Sequence, residues 1–205
     1  MLNGHNEANS LSFYPVKPYK QNALFTGGAH TELNACVGRN GGPYGLTDYA
    51  SGYLKGGRRI ANSLMENSIS QDTVVYPLVY VYRHAIELYL KQLTECLLCI
   101  AGLDGKPCQT HNLADNWSLS KPLIIAHATS FDPDAILVPL VDAVIADLIE
   151  IDPDGQAFRY PHARTGSRLL QETSLINVKV FADAIDMIAE VMDSWIYTAS
   201  TLLEV

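Results

Sequence analysis

The chain has 205 residues, 48% of them hydrophobic, and a formal net charge of −8. That length holds one domain with a full core and is short for two. The acidic balance argues against broad electrostatic binding to nucleic acid or to an anionic membrane, so any basic contact surface has to be local.

Residues 1–11 have neither the basic start nor the apolar stretch of a signal peptide. The longest apolar run, Val74 to Tyr82, stops at Arg83, well short of a membrane span. A cytoplasmic protein without membrane association is expected, and its four cysteines read as reduced thiols rather than as a disulfide framework.

Residues 1–44 are expected to form an irregular N-terminal arm. They are rich in Gly, Asn and Pro, as in Gly27-Gly28 and Gly38-Arg39-Asn40-Gly41-Gly42-Pro43, and hold no sustained period of 2 or 3.6. Leu11, Phe13, Tyr14, Leu24 and Phe25 suggest points where the arm packs. Residues 45–205 read as the helical body. Its first helix is predicted from a Thr47 cap to about Asn67, with Tyr53, Gly57, Ile60 and Leu64 on one face, and Gly56-Gly57 in mid-helix implies a close neighbour. The second and longest helix is predicted from an Asp72 cap to about Ala101, with Pro77 either in its first turns or at a kink.

Gly102 to Pro107 is turn-like, and His111-Asn112-Leu113 opens a short helical piece before Lys121-Pro122. Asp132-Pro133 reads as the cap and first position of a helix to about Ile151, with an apolar stripe of Leu137, Val141, Val144, Ile145 and Leu148 and an early bend at Pro139. Asp152-Pro153-Asp154-Gly155 is a turn, and Phe158 to Leu169 a polar loop carrying Arg159, His162, Arg164 and Arg168. The last helix, Ser174 to Ala199, places Val178, Phe181, Ile185, Ile188, Met192, Trp195 and Ala199 at heptad spacing, suited to lengthwise packing in a bundle or across a dimer seam. The expected fold is all-α, a bundle of four main helices behind the arm.

The central helix carries the chain's best candidate site. Arg83, His84, Glu87 and Lys91 share one stripe within an otherwise apolar helix, so they are expected to be buried, with Arg83–Glu87 and Glu87–Lys91 paired at i, i+4. With His111 they form either a polar pocket for phosphate or a nucleotide, or an internal ion-pair network that holds the core in register.

Three segments carry a family resemblance: Tyr82-Arg83-His84-Ala85-Ile86-Glu87-Leu88-Tyr89-Leu90-Lys91, then His111-Asn112-Leu113, then Phe158-Arg159-Tyr160-Pro161. Their order and spacing resemble the HEPN superfamily of small helical bundles, in which a long Arg-His-x-x-Glu-Leu-x-Leu-Lys helix precedes a His-Asn/Asp-Leu turn. The resemblance implies a homodimer that is a metal-independent ribonuclease, or an inactive binder of RNA or nucleotides, in a defence or toxin–antitoxin type system with a partner protein. The superfamily's nuclease motif is an Arg and a His with four to six residues between them. In Arg159-Tyr160-Pro161-His162 only two residues intervene, so the chain departs from the motif.

If Arg159 and His162 are catalytic, a neutral His takes the proton of a ribose 2′-hydroxyl and an Arg fork stabilises charge on the phosphorane. The alternative is a solvated loop whose arginines pair with surface carboxylates. Cys96-x2-Cys99 and Cys108-x2-His111 have zinc-like spacing, but Cys96 and Cys99 sit in an apolar helical run where cysteine acts as a small core residue, and no metal or cofactor is expected. Two functions follow: an RNA- or nucleotide-binding protein, with or without ribonuclease activity, or a catalytically silent interaction module. In the first, the loop 158–168 folds back on the N-terminal half of the central helix and makes a basic cleft. In the second, carboxylates occupy the charges and no cleft exists.

Overall fold

A computed structural model describes residues 24–38, 40, 44–66, 70–103 and 110–204. Contacts divide the chain into two units, Met1–Tyr44 and Gly45–Val205. In the first, the described residues form one 3-10 turn, Thr31–Leu33, beside which Asn34 clasps Gly28: the Gly28 N–H donates to Oδ1 at 2.9 Å and Nδ2 donates to the Gly28 carbonyl at 3.3 Å. Leu24 and Phe25, expected to pack, are exposed. Leu11, Phe13 and Tyr14 lie outside the described residues.

The second unit is all-helical. Among the described residues it holds α1 (Leu46–Met65), α2 (Gln71–Ile100), α3 (Leu113–Ala126), a single turn α4 (Ala128–Phe131), α5 (Leu137–Ile151) and α6 (Val178–Leu203). No helix is long and apolar enough to cross a membrane among these residues. α2 is hydrophobic nearly all round and takes the centre, packed by α1, α3 and α6, while α5 closes the bundle against α3 and α6. Tyr82, Ile86, Leu90, Leu93 and Leu97 of α2 are fully buried with Leu64, Leu113, Ile145, Ile185 and Trp195. Each such aliphatic side chain contributes about 1.5–3 kcal/mol relative to an exposed one.

The heptad stripe of α6 is spent inside the chain. Ile185, Ile188, Met192, Trp195 and Ala199 are buried in the core, and the Trp195 indole donates to the Phe131 carbonyl at 2.7 Å. The stripe is therefore a bundle seam. α6 starts at Val178 rather than Ser174 because Asn177 caps it, accepting from the Lys179 and Val180 N–H groups, and it continues past Ala199 to Leu203.

Other helix starts are also displaced. The N-cap of α1 is Gly45, whose N–H donates to the Asp48 carboxylate at 2.8 Å, and Thr47 lies within the helix. Asn67, its expected end, is outside the described residues. Ser70, not Asp72, precedes α2, which continues through Pro77. α3 starts on an Asn112 cap and runs past Lys121-Pro122 to Ala126, longer than the piece expected. α5 starts at Leu137, five residues after Asp132, yet the buried Asp132 carboxylate still caps it by accepting from Ile136, Leu137 and Val138 N–H groups at 2.8–2.9 Å. Pro139 is the third residue of that helix, where no intrahelical bond needs its missing N–H, so the expected bend has no cause. The close neighbour implied by Gly57 is an aromatic ring: a Cβ there would stand 3.0 Å from Tyr82.

Candidate functional site

Arg83 lies where α2 passes the loop after α5, and it is 2% exposed. Four of the five guanidinium N–H groups have protein acceptors: Nε donates to the Asp152 carbonyl (2.9 Å), Nη1 to Glu87 Oε2 (3.0 Å), and Nη2 to the carbonyls of His111 (2.7 Å) and Pro153 (2.9 Å). One side chain thus joins α2, the residue pair that opens α3, and the turn 152–155. The turn is shaped for it. Gly155 has φ +78°, and a Cβ there would lie 2.8 Å from Nη1. Asp152 faces the same guanidinium, with Oδ1 accepting the Ala157 N–H at 2.9 Å and Oδ2 3.6 Å from Nε. Burial pushes the Asp152 carboxyl up, and the Ala157 N–H and the Arg83 charge only partly reverse this.

Glu87 is 1% exposed and fully partnered. Oε1 accepts from Lys91 Nζ and from His111 Nδ1, each at 2.8 Å, and Oε2 accepts from Arg83. His84 Nδ1 is 3.9 Å from Oε2, longer than an ordinary hydrogen bond. Burial opposes ionisation, but His84, Lys91 and His111 more than reverse it and hold this carboxyl well below the usual range. The sequence-predicted group Arg83, His84, Glu87, Lys91 and His111 is therefore assembled around one carboxylate. Within it, Arg83 and Lys91 are engaged with protein acceptors, and His111, at 71% side-chain exposure, is the member that faces solvent.

A second cluster continues from His84 along the same face of α2. Tyr53 of α1 meets the His84 ring edge-on at 4.6 Å, and Tyr80 stacks against it at 6.0 Å with 9° between planes. Beyond them, the Arg159 guanidinium lies 5.4 Å over the Tyr80 ring and 5.2 Å over the Tyr160 ring, and it donates to the Tyr160 hydroxyl at 3.3 Å. The loop is held there by Ala157 and Phe158, which are buried against Val79. It does fold back on the N-terminal half of α2. Beside it opens a cleft of about 970 Å³, lined by Val75, Tyr76, Phe158, Arg159, Tyr160 and Arg168 among others, including Asp72 and Lys179. Lys179 is paired with Asp183, whereas Arg159 and Arg168 have no carboxylate partner among the described residues.

Arg159 and His162, predicted as a catalytic pair, are not joined. His162 is exposed and pairs through its backbone with Arg168, while Arg159 turns to the two tyrosines. Cys96 is buried and Cys99 exposed, Cys108 falls outside the described residues, and no group of three or more His, Cys, Asp or Glu side chains suited to a metal occurs among those described. Tyr53, Tyr80, Tyr160, Asp152 and Gly155 were not singled out as site residues from the sequence. Tyr80 lies on the Tyr80–His84–Glu87–Lys91 line, so helical periodicity could have found it.

The fold and site define an all-α protein with a buried ionic centre and an adjacent basic loop that packs on tyrosines of α2. No family model, no curated protein and no solved structure matches the chain. The likeness to the HEPN superfamily accordingly rests on the short motifs given above.

Proposed function

We propose that the chain is a HEPN-like RNA- or nucleotide-binding protein whose contact surface is the loop bearing Arg159, Tyr160 and Arg168, together with Tyr76 and Tyr80. The observation that carries this reading is Arg159, an exposed cation held over two tyrosine faces at the edge of a cleft and, among the described residues, left without a carboxylate. Such a site offers an anion-binding fork beside aromatic surfaces, which matches a phosphate linked to a base. The buried network acts as its foundation, because Arg83 fixes the turn from which the loop springs. A homodimer and a neighbouring partner protein of toxin–antitoxin type remain parts of this proposal through the family resemblance alone.

The test is fluorescence anisotropy of a labelled single-stranded RNA with the full chain. Arg159→Ala and Arg168→Ala are each expected to weaken binding about tenfold, roughly 1.4 kcal/mol, and the affinity should fall steeply with salt. Lys121→Ala, which removes a cation already paired with Asp142, serves as the control. Binding that is absent at low salt, or equal in all variants, contradicts the proposal. The second reading, a catalytically silent scaffold, is favoured by the engaged donors of Arg83 and would give that negative result.

A further inference from the structure

The RNA reading uses the rim of the cleft beside α2 and leaves its interior without a role. That interior is aliphatic: Val75, Leu170 and Ile176 are half-buried around the buried Phe158. The same cleft is lined by four large apolar side chains left in water, Leu175 at 91% exposure, Tyr160 at 48%, Tyr76 at 46% and Met65 at 42%. Exposed apolar residues scattered singly are ordinary, whereas several that converge on one concavity mark a contact site. The volume, about 970 Å³, lies at the upper end of the roughly 300–1,000 Å³ of small-molecule clefts, and an apolar lining with a few fixed polar groups is their usual composition.

Charge selects the head group. Among the described lining residues Arg159, Arg168 and Lys179 stand against a single carboxylate, Asp72, and Lys179 is already paired with Asp183 outside the lining. Arg159 is also held over two tyrosine rings, which lowers the entropy lost when it takes an anion. A guanidinium takes a carboxylate as a fork. We infer that the cleft binds a monomeric amphiphilic anion, a medium- to long-chain carboxylate whose head is held at the arginine rim and whose chain covers Leu175, Met65 and the aliphatic interior. A bilayer surface fits less well, because these apolar groups line a concavity and the chain carries a net charge of −8. The acid takes the arginines that the RNA reading gives to phosphate, so the two ligands exclude each other. The inference goes beyond that reading and is tested without RNA.

The experiment is calorimetric titration of the full chain with decanoate below its micelle concentration, beside butanoate and decyltrimethylammonium. Decanoate is expected to saturate one site per chain, with butanoate about a hundredfold weaker, because it lacks most of the apolar chain, and the cationic amphiphile at least about tenfold weaker. Arg168→Ala and Leu175→Asp are each expected to weaken decanoate about tenfold, and the exposure of Leu175 leaves the fold intact in its variant. Tyr197→Asp, at an exposed α6 position outside the cleft, and Lys121→Ala are expected to bind as wild type. Decanoate that does not saturate below micelle formation, that binds equally to Leu175→Asp and Tyr197→Asp, or that is matched by decyltrimethylammonium overturns the inference. So does binding to phosphatidylglycerol vesicles by a chain that ignores monomeric decanoate, which makes the patch a membrane contact. A chain that binds decanoate but no RNA keeps the inference and removes the RNA reading.

Discussion

Arg83, Glu87 and Asp152 are three charged groups, each at most 2% exposed, so the removal of one leaves the others uncompensated. Arg83→Leu should lower stability by about 3–5 kcal/mol in urea unfolding, because two carboxylates stay buried without the guanidinium. A loss below about 1 kcal/mol, the scale of a surface pair, would contradict the network's structural role. Gly155 offers a sharper comparison. Gly155→Ala carries both a positive φ and a clash with Arg83, whereas Gly166→Ala, at φ +89°, meets no atom within 4 Å. The first should cost more than the second, which should cost about 1 kcal/mol. Equal losses would mean that the Arg83 contact is irrelevant.

The pH dependence follows from the same carboxylates. Glu87 has a folded pKa below its unfolded one, so its contribution is complete above the ordinary carboxylate value and is lost as pH falls through the depressed folded value. Asp152 has the opposite sign: its raised folded pKa favours the fold at low pH, and that contribution is lost as pH rises through the folded value. The stability gap between wild type and Glu87→Gln is predicted to stay constant near neutrality and to narrow in acid, below the ordinary carboxylate range. Urea unfolding across pH measures it, and a gap constant at every pH contradicts the assignment.

At the scale of elements, the main helices are legible in the sequence, as are the ends of α2 at Ile100 and α5 at Ile151, but most of the starts are not. The apolar periodicity of α2 and α6 depends on residues within a few turns, so spacing alone places them, and the Arg83–Glu87–Lys91 line follows from the same local rule. Caps depend on how the chain enters a helix. Thr47 and Asp72 have suitable side chains but lie inside helices that begin at Leu46 and Gln71, while Asp132, expected as the cap of α5, does cap it but from five residues before its first residue, Leu137. The acceptors of Arg83 were equally hidden, because three of them are backbone carbonyls, which every residue carries. Gly56-Gly57 tests the packing of α1 on α2. Gly56→Ala meets nothing within 4 Å and should raise stability by about 0.5–1 kcal/mol, whereas Gly57→Ala runs into the Tyr82 ring and should lower it. Thermal melts of the two variants shifting in the same direction would contradict that packing.

Across the whole molecule, a chain of net charge −8 places Arg159, Arg164 and Arg168 on one loop, which Ala157 and Phe158 hold against α2. Lys179, Lys121 and Arg58 are paired with carboxylates, and among the described residues Arg159 and Arg168 are not. The network around Glu87 is internal, and the loop beside it is open. Because α6 uses its heptad stripe within the bundle, that stripe is not free to form a dimer seam. The most direct measurement is photocrosslinking of single-stranded RNA carrying 4-thiouridine to the full chain, with the crosslinked residues mapped by mass spectrometry. Adducts on Tyr76, Tyr80 or Tyr160, lost in Arg159→Ala, are the predicted result. Adducts confined to other surfaces, or none above a denatured control, would contradict a binding site at this loop.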